Sequence, residues 1–326
     1  MIRVSVPGTE KIERKSNTVM KNYLKQLYDI AVMYYEDKLT QEEIAEKTGI
    51  SRPQVSRALA QAVTTGIVEI KVNLLSPSIY IAESLRKKLG LEKVYVAPYK
   101  DDEDDGEHDT ADDVAAFASD VLARELHSEE NIGVGWGDAV YRTIKMLSPL
   151  DDKARCSLCF PLVSSVGFHE PCYQMNLLVG MMAEKIHARP LFFNEASIAN
   201  ESTDEMRRAW DNINVAIVGI GPYPATKFRN NPMASEWLDK LDSRSPRGDI
   251  LGRFYNEDGY LEASSRLVNI PVKSLSKADK IIAISSGRGK TEAIRIAAKL
   301  GYITHLIIDQ DAAEELLDAV DGGFQS

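Results

Sequence analysis

The chain has 326 residues, of which 44% are hydrophobic and 27% charged, and its formal net charge at pH 7 is −10. This length is sufficient for two domains with a sizeable core, and the acidic balance excludes a general, non-specific affinity for nucleic acid. Three cysteines are too few for a disulfide framework. The sequence contains no apolar run of 18 residues and no apolar leader, which predicts a cytoplasmic protein without a membrane span.

The charge is unevenly distributed along the chain. Residues 1–73 hold 11 Lys and Arg against 9 Asp and Glu, whereas the remaining residues hold 28 against 40. Any affinity for DNA must therefore come from a local N-terminal patch and from the joint binding of several copies. We divide the chain into an N-terminal arm (1–20), a small domain (21–73), a connecting and oligomerisation helix (74–92) and a larger domain (93–326).

The segment LTQEEIAEKTGISRPQVSRALAQAVTT predicts two short helices joined by a tight turn. Thr40 and Glu43 form a capping box at the start of the first helix, and Ser51 and Gln54 form another at the start of the second. Gly49 suits the left-handed backbone that ends a helix. A preceding helix over 20–37 is expected to pack across this pair, giving a helix-turn-helix.

The second helix of this pair combines an apolar stripe with a polar face. The stripe falls at helical spacing and consists of Val55, Leu59, Ala62 and Val63. Arg and Gln side chains on the other face suit guanine and adenine edges, although Arg52 and Arg57 suit phosphate contacts equally well. The residues assigned to DNA contact are Thr40, Gln41, Ser51, Arg52, Gln54, Ser56 and Arg57. The alternating segment 67–72 predicts a strand, the wing of a winged helix.

Three features beyond this domain have plain structural interpretations. Tyr80 and Ile81 in the connecting helix are suited to pairing of subunits. The acidic run 101–109 is interpreted as a solvated loop in preference to a cation site. Cys156 and Cys159 form a CxxC, but they flank an apolar run that predicts a buried strand, which we prefer to a metal or redox site.

The larger domain alternates between predicted helices and short apolar strands. Strands are predicted at 131–134, 215–221, 280–287 and 304–309, and helices at 110–127, 138–147, 290–300 and 312–320. This alternation predicts an α/β fold with a mainly parallel sheet covered on both faces. In such sheets ligands bind beyond the carboxyl ends of the strands.

Glycine-rich turns occur at three places in this domain: GVGWGDA (133–139), GDILGRFYNEDG (248–259) and SGRGKTEAI (286–294). In the third turn, glycines follow a strand and Lys290 opens a helix. Exposed N–H groups, the helix dipole and the ammonium group together favour an anion such as phosphate. The GxxxxGK[ST] spacing of a Walker A motif is absent.

With these motifs the chain resembles the SorC/DeoR-type sugar-binding transcriptional regulators, over residues 24–317. The resemblance rests on LTQEEIAEKTGISRPQVSRAL, GIVEIKV, GVGWG, VAIVGIG, GDILGRF with a following DG, and GRGKTEAI with a following LIID. It implies an effector domain similar to phosphosugar isomerases and sugar-phosphate deaminases, a homotetramer on operator DNA, and a phosphorylated sugar as inducer. We assign no catalytic residue, cofactor or metal to the chain, and we favour a repressor over an activator.

The resemblance also implies a set of effector-binding residues. Carried over by motif, these are Gly135, Gly137, Asp138, Ala139, Asp249, Arg253 and Lys290. Asp249 is expected to accept sugar hydroxyls, and Lys290 to meet an anionic or carbonyl end of the ligand. Asp309, at the end of the last strand, is expected to orient the lip of the site.

One departure from the family leaves the ligand class open. The first turn in this family usually carries Thr or Ser shortly after the glycine, whereas this chain has Asp138 and Ala139. A carboxylate there repels phosphate unless a cation or arginine intervenes. An unphosphorylated sugar or polyol therefore stays open beside a phosphosugar, and Asp138 also suits a plain N-cap.

Two chemical alternatives also stay open. The first is a sugar-phosphate isomerase or deaminase attached to a DNA-binding domain, with Asp138 or Asp249 as the catalytic base. The second is capture of an aldehyde sugar as a Schiff base by Lys145 or Lys290.

Overall fold

The computed structural model describes residues 2–4, 16–70, 76–98, 110–151, 155–165, 169–193, 202–223, 241, 244–261 and 268–322. The acidic run 101–109, expected to be a loop, lies outside these residues. The chain forms two compact units, Met1–Ser76 and Pro77–Ser326. No described helix is both long enough and apolar enough to cross a bilayer.

The first unit contains the predicted helix-turn-helix. Its elements are β1 (Ile2–Val4), α1 (Ser16–Tyr35), α2 (Gln41–Thr48), α3 (Arg52–Thr64) and β2 (Val68–Ile70). The capping box of α2 is formed, because Glu43 Oε2 accepts the Thr40 N–H at 2.7 Å and Thr40 Oγ1 accepts the Glu43 N–H at 3.3 Å. Gly49 ends α2 with a φ of 72°. Gln54 Oε1 accepts the Ser51 N–H at 2.8 Å at the start of α3.

The apolar stripe of α3 differs from the predicted one at one position. Val55, Leu59 and Ala62 are buried as expected, but Val63 is 39% exposed and Ala58 is buried in its place. At about 100° per residue, Ala58 and Val63 lie at opposite margins of the stripe, and the packing of α3 against α1 and α2 buries the Ala58 margin. The stripe packs against α1 and α2 in a small core completed by Leu27, Ile30, Ala31, Ile44, Ile67 and Val68.

The wing is a two-stranded sheet. β2 falls within the predicted strand 67–72, of which residues 71 and 72 lie outside the described part of the chain. It pairs antiparallel with β1, with Arg3 opposite Glu69. The arm 1–20 therefore supplies a strand and, from Ser16, the first residues of α1, neither of which the sequence analysis predicted.

The second unit contains the predicted alternation of helices and strands. Its strands are β3 (Lys93–Ala97), β4 (Asn131–Val134), β5 (Leu158–Pro161), β6 (Arg189–Pro190), β7 (Val215–Gly219), β8 (Gly221–Pro222), β9 (Gly248–Ile250), β10 (Arg253–Asn256), β11 (Gly259–Tyr260), β12 (Lys280–Ser285) and β13 (His305–Asp309). Its α-helices are α4 (Pro77–Leu89), α5 (Thr110–Glu125), α6 (Asp138–Met146), α7 (Met175–Lys185), α8 (Ser202–Asp211), α9 (Val272–Leu275), α10 (Thr291–Lys299) and α11 (Gln310–Asp321).

Seven of these strands form one parallel sheet, in the order β3-β13-β12-β7-β4-β5-β6. From β4 the chain steps towards β6, whereas from β7 it steps back towards β13. Because parallel crossovers are right-handed, opposite steps place α6 and α10 on opposite faces of the sheet. α5 and α7 pack beside α6, and α11 packs beside α10 and α4. The expected parallel sheet covered on both faces is confirmed.

A second, antiparallel sheet has the order β11-β10-β9-β8. The sequence analysis interpreted 215–221 as one strand, which is wrong: the main-sheet strand ends at Gly219, and Gly221 begins β8 of the small sheet. The segment interpreted as a glycine-rich turn at 248–259 is the β9–β10 hairpin and the start of β11. Its two-residue loop has φ of 57° at Leu251 and 71° at Gly252, the signs that a type I′ hairpin turn requires.

Candidate functional site

The carboxyl ends of β4 and β7 mark the place where the chain direction reverses in the sheet. The two strands are neighbours, and the loops that follow them leave in opposite directions. Such a switch point opens a crevice in which open α/β sheets bind ligands. The first glycine turn follows β4, and the third follows β12, the strand beyond β7.

Glycine is required in the first turn by close packing and by backbone conformation. A Cβ at Gly135 would lie 2.6 Å from Leu251 Cδ2, so this glycine admits the tip of the β9–β10 hairpin. Gly137 has a φ of 127° and is the N-cap of α6. Asp138 is therefore the first helical residue and not the N-cap, and the half-buried Ala139 follows it.

The Asp138 carboxylate is held by an arginine one helical turn away. Arg142 Nε donates to Asp138 Oδ2 at 2.8 Å, and another nitrogen of the same guanidinium donates to Asp112 Oδ1 on α5 at 2.7 Å. The Asp138 side chain remains about half exposed, at 51%. The structure thus supplies the arginine whose presence the sequence analysis left open.

Asp249, on β9, is a buried carboxylate. Its Oδ2 accepts the Gly252 N–H at 3.2 Å, and its Oδ1 lies where a Cβ on Gly221 would be, 2.0 Å from that position. Burial raises the pKa of Asp249 to about 6, against the opposing effects of the Gly252 N–H and Lys290. No described residue donates a hydrogen bond to Oδ1, so this oxygen is able to accept one from a ligand.

Lys290 lies among three carboxylates. Burial lowers the pKa of its ammonium group, while the charges of Asp309, Asp249 and Asp138 oppose that shift. The side chain forms no hydrogen bond or ion pair with any residue that the structure describes. The arrangement brings together the predicted Asp138, Asp249 and Lys290, with Asp309 as the fourth member. We call these four residues the carboxylate–lysine cluster.

The amides of the third turn are used by the protein itself. Asp309 Oδ2 accepts the Gly287 N–H at 2.7 Å, and Glu315 Oε2 accepts the Gly289 N–H at 3.4 Å. Glu315 Oε1 also accepts the Thr291 hydroxyl at 2.8 Å. The sequence predicts that N–H groups of this turn hold an external anion, and two of them, those of Gly287 and Gly289, instead donate to internal carboxylates.

Arg253 lies away from the cluster. Asp249 pairs with Phe254 and Ile250 pairs with Arg253 across the hairpin, and paired residues point to one face, so Asp249 and Arg253 point to opposite faces. The guanidinium donates to the Ile270 carbonyl, and burial lowers its pKa. The described contacts make Arg253 a brace between the hairpin and the segment before α9.

Tyr173 is a member of this site that the sequence analysis missed. Burial is the largest cause of its raised pKa, and the charges of Cys172, Asp249, Glu170 and Asp138 raise the pKa further. The side chain of Tyr173 therefore lies near two members of the cluster, Asp249 and Asp138. It packs edge-on against Trp136 of the first turn, with ring centroids 5.9 Å apart. No sequence signal marks Tyr173, because it belongs to none of the recognised motifs. A 3-10 turn at Pro171–Tyr173 brings it to the first turn in the folded chain.

The residues of two other candidate sites, the CxxC cysteines and Lys145, have ordinary structural surroundings. Cys156, Cys159 and Cys172 are buried, and burial raises the pKa of the Cys156 thiol to about 11. Among the described residues no three His, Cys, Asp or Glu side chains converge as metal ligands. Lys145 lies 5.5 Å from the ring centre of Tyr141 on α6, which is an ordinary surface contact.

The first unit presents the residues assigned to DNA along one polar surface. Ser51, Arg52, Gln54, Ser56 and Arg57 are exposed on α3 or at its start. The hydroxyl of Thr40 is engaged in the cap of α2, and Gln41 is half-buried.

Several of these groups are pre-positioned by internal contacts. Arg52 Nε lies 3.0 Å from Glu42 Oε1, and Arg57 Nε donates to the Pro53 carbonyl at 3.3 Å. Gln54 retains its amide donors while its oxygen caps the helix. The exposed face of α3 thus offers donors, as direct readout of base edges or phosphates requires.

Comparisons with known proteins agree with both halves of this description. The family model described as "Putative sugar-binding domain" matches residues 75–318, and the MarR family model matches residues 30–73. The sorbitol operon regulator of Klebsiella pneumoniae is 30% identical over 315 residues, which cover 90% of this chain and 98% of that protein. The transcriptional regulator LsrR of Escherichia coli K12 is 28% identical over 306 residues, covering 90% and 94%.

A solved structure extends the likeness to the fold. The full-length sorbitol operon regulator SorC from Klebsiella pneumoniae superposes with a TM-score of 0.66 at 26% identity, covering 91% of this chain and 99% of that one. A sugar-binding family model over most of the chain, a DNA-binding model before it and a full-length relative with both parts agree with each other. The chain belongs to the SorC/DeoR-type family of sugar-binding transcriptional regulators.

Proposed function

We propose that this protein binds operator DNA through α3 and controls genes for the use of a carbohydrate, with repression as its basal action. The observation that carries the proposal is the exposed polar face of α3, set on a buried apolar stripe. A helix that is anchored on one side and offers Arg and Gln on the other fits the major groove. The relatives named as operon and transcriptional regulators support the same role.

The carboxylate–lysine cluster is the proposed effector site. It lies at the switch point of the sheet, and it combines buried polar groups with the aromatic wall of Tyr173 and Trp136. Concave sites with a few placed polar groups and aromatic sides are typical of small-molecule pockets. A sugar or sugar phosphate bound there changes DNA affinity by favouring one of two arrangements of the protein.

Cytoplasmic location and assembly as a homotetramer complete the proposal. Operator DNA lies in the cytoplasm of a bacterium, and symmetric assemblies bind repeated half-sites. The strongly acidic balance of the chain adds a reason, because a weakly basic reading unit gains affinity when several copies bind one operator.

The first test is a gel-shift measurement on the DNA upstream of the protein's own gene, comparing the unaltered chain with Arg57→Ala. Loss of a donor at a base or phosphate costs about 1–3 kcal/mol per contact, so we expect the Kd to rise by roughly 5–150-fold. Arg207→Ala is the matched control, because it removes the same charge from an exposed position on α8 of the second unit. Equal binding by the Arg57 and Arg207 variants at the same salt concentration would remove Arg57 from the DNA surface.

One observation favours a second candidate, a sugar-phosphate isomerase or deaminase activity. Asp249 has a pKa near neutrality and lies beside Lys290, which is an arrangement typical of acid–base catalysis. The relatives are named as regulators, so the regulatory role is the first choice. Turnover of a sugar phosphate that Asp249→Asn abolishes would establish the enzyme instead.

A further inference from the structure

Two of the backbone N–H groups that would receive a phosphate at this site are already bound to carboxylates. Helix N-termini bind phosphate through free backbone N–H groups, and α10 begins next to Lys290, at the third turn. The Gly287 and Gly289 amides of that turn donate to Asp309 and Glu315. A phosphate placed there would have to displace two internal acceptors and then lie against their negative charges.

The first turn is also unfavourable for binding a phosphate. α6 begins with Asp138, and its carboxylate lies at the end of the helix where a phosphate would bind. Arg142 offsets this charge, but the same guanidinium also binds Asp112. Among the residues that the structure describes, one arginine therefore balances two carboxylates, and these three side chains together leave no net positive charge for a dianion.

The charges at the centre of the site also disfavour a phosphate. Within the cluster, the charges of three carboxylates act on one ammonium group, that of Lys290, and two of these carboxylates, Asp249 and Asp309, are buried. Like charges a few ångströms apart repel one another at the effective dielectric of a protein surface. The same carboxylates are good acceptors for hydroxyl donors, and Asp249 Oδ1 receives no hydrogen bond from the described residues.

We infer that the effector is an uncharged polyhydroxy compound, a free sugar or polyol, and that the site discriminates against its phosphate ester. Hydroxyls of the ligand donate to Asp138 and Asp249, and Lys290 donates to a ring, carbonyl or hydroxyl oxygen. The half-buried ring of Tyr173, which packs edge-on against Trp136, supplies an aromatic side for the C–H groups of the ligand. This inference rests on the proposed effector site.

The test is titration calorimetry of the full-length protein with matched pairs: hexoses, pentoses and hexitols, each beside its own phosphate ester, with inorganic phosphate included. At least one free compound is expected to bind at least tenfold more tightly than its ester. Tighter binding by the ester, or binding by inorganic phosphate alone, would overturn the inference.

Two variants connect the preference to Asp138. Asp138→Thr exchanges the carboxylate for a hydroxyl, so the ratio of ester affinity to free-sugar affinity is expected to rise roughly tenfold. Asp120→Asn is the control, because it removes an exposed carboxylate from α5 and leaves both partners of Arg142 in place. An unchanged ratio in Asp138→Thr, with the Tm of the unaltered protein, would contradict the role of this carboxylate.

Failure of the inference is distinguishable from failure of the proposed function. If no free compound and no ester binds, the inference falls together with the sugar-effector part of the proposal, whereas gel-shift binding still tests the DNA-binding part. If only esters bind and they change the gel shift, the proposed function stands and the inference alone is wrong.

Discussion

At the residue scale, Asp249 shows how a binding site is formed at a cost in stability. The carboxylate is buried on a short strand with one backbone N–H as its described donor. Removing a charge from water without full compensation is unfavourable. The pKa of Asp249 is raised because its charged form is disfavoured in this way. A hydroxyl-bearing ligand supplies the missing donors, so the group that destabilises the free protein stabilises the complex.

The pKa of Asp249 predicts a specific dependence of stability on pH. It is about 6 in the folded chain, against an ordinary value of 3.8, so between these values the native state binds more protons than the unfolded state. The free energy of unfolding contributed by Asp249 therefore falls as the pH rises from about 4 to about 6, by up to about 3 kcal/mol.

Asp249→Asn is expected to remove this loss while weakening effector binding. The variant should have the higher Tm in the absence of ligand, with a larger gain at pH 7.5 than at pH 5, measured by thermal unfolding of the full chain. Calorimetry should show weaker binding of the effector, because an amide is a poorer acceptor than a carboxylate. An equal gain in Tm at both pH values would contradict the assigned pKa.

At the element scale, the position of Asp249 depends on the contact between β8 and β9. Gly221 pairs with Asp249 in the antiparallel ladder, and the carboxylate lies over the glycine, where a side chain would be. Gly135 and Leu251 make a similar contact at the hairpin tip. The small sheet thus delivers Asp249 to the switch point because two glycines let its strands approach closely.

Gly221→Ala is expected to abolish effector binding. The added methyl would lie 2.0 Å from Asp249 Oδ1, so the buried carboxylate must move or the strands must separate, at a cost of about 1–3 kcal/mol. Gly180→Ala on α7 is the control, because its methyl would meet only the Phe192 ring at 3.8 Å. Calorimetry and Tm measure both effects, and unchanged effector affinity in Gly221→Ala would show that Asp249 does not bind the ligand.

The elements also show which features local sequence determines. The caps of α2 and α3 and the apolar runs of β4, β7, β12 and β13 were predictable because their signals lie within a few residues. β1 was not, because it is a strand only by pairing with β2, more than 60 residues away. Three short strands of the small sheet likewise carry no periodic pattern and exist by pairing with each other.

The same distinction applies to the candidate site. Asp138, Asp249 and Lys290 were found because each follows or lies in a recognisable motif. Tyr173 and the Arg142 bridge to Asp112 were missed, because tertiary packing alone brings them to the first turn. The internal use of the third-turn amides was missed for the same reason, since Glu315 lies one helix further along the chain.

At the scale of the whole molecule, the proposed function requires that ligand binding in one compact unit changes the DNA affinity of the other. The DNA-contacting residues belong to Met1–Ser76 and the carboxylate–lysine cluster to Pro77–Ser326. An effector can change DNA affinity only by binding two states of the protein with different affinities. Typical couplings of this kind are about 1–3 kcal/mol, or roughly 5–150-fold in affinity.

This coupling must be reciprocal, which gives the last prediction. If an effector weakens operator binding by some factor, operator DNA must weaken effector binding by the same factor. We expect calorimetric titration of the effector, with and without saturating operator fragment, to give the ratio that gel shifts give for DNA with and without the effector. Asp249→Asn should reduce effector affinity in both titrations while leaving operator affinity without effector unchanged. Unequal ratios would mean that the two measurements report different binding sites or different assemblies, and would remove the carboxylate–lysine cluster as the regulatory site.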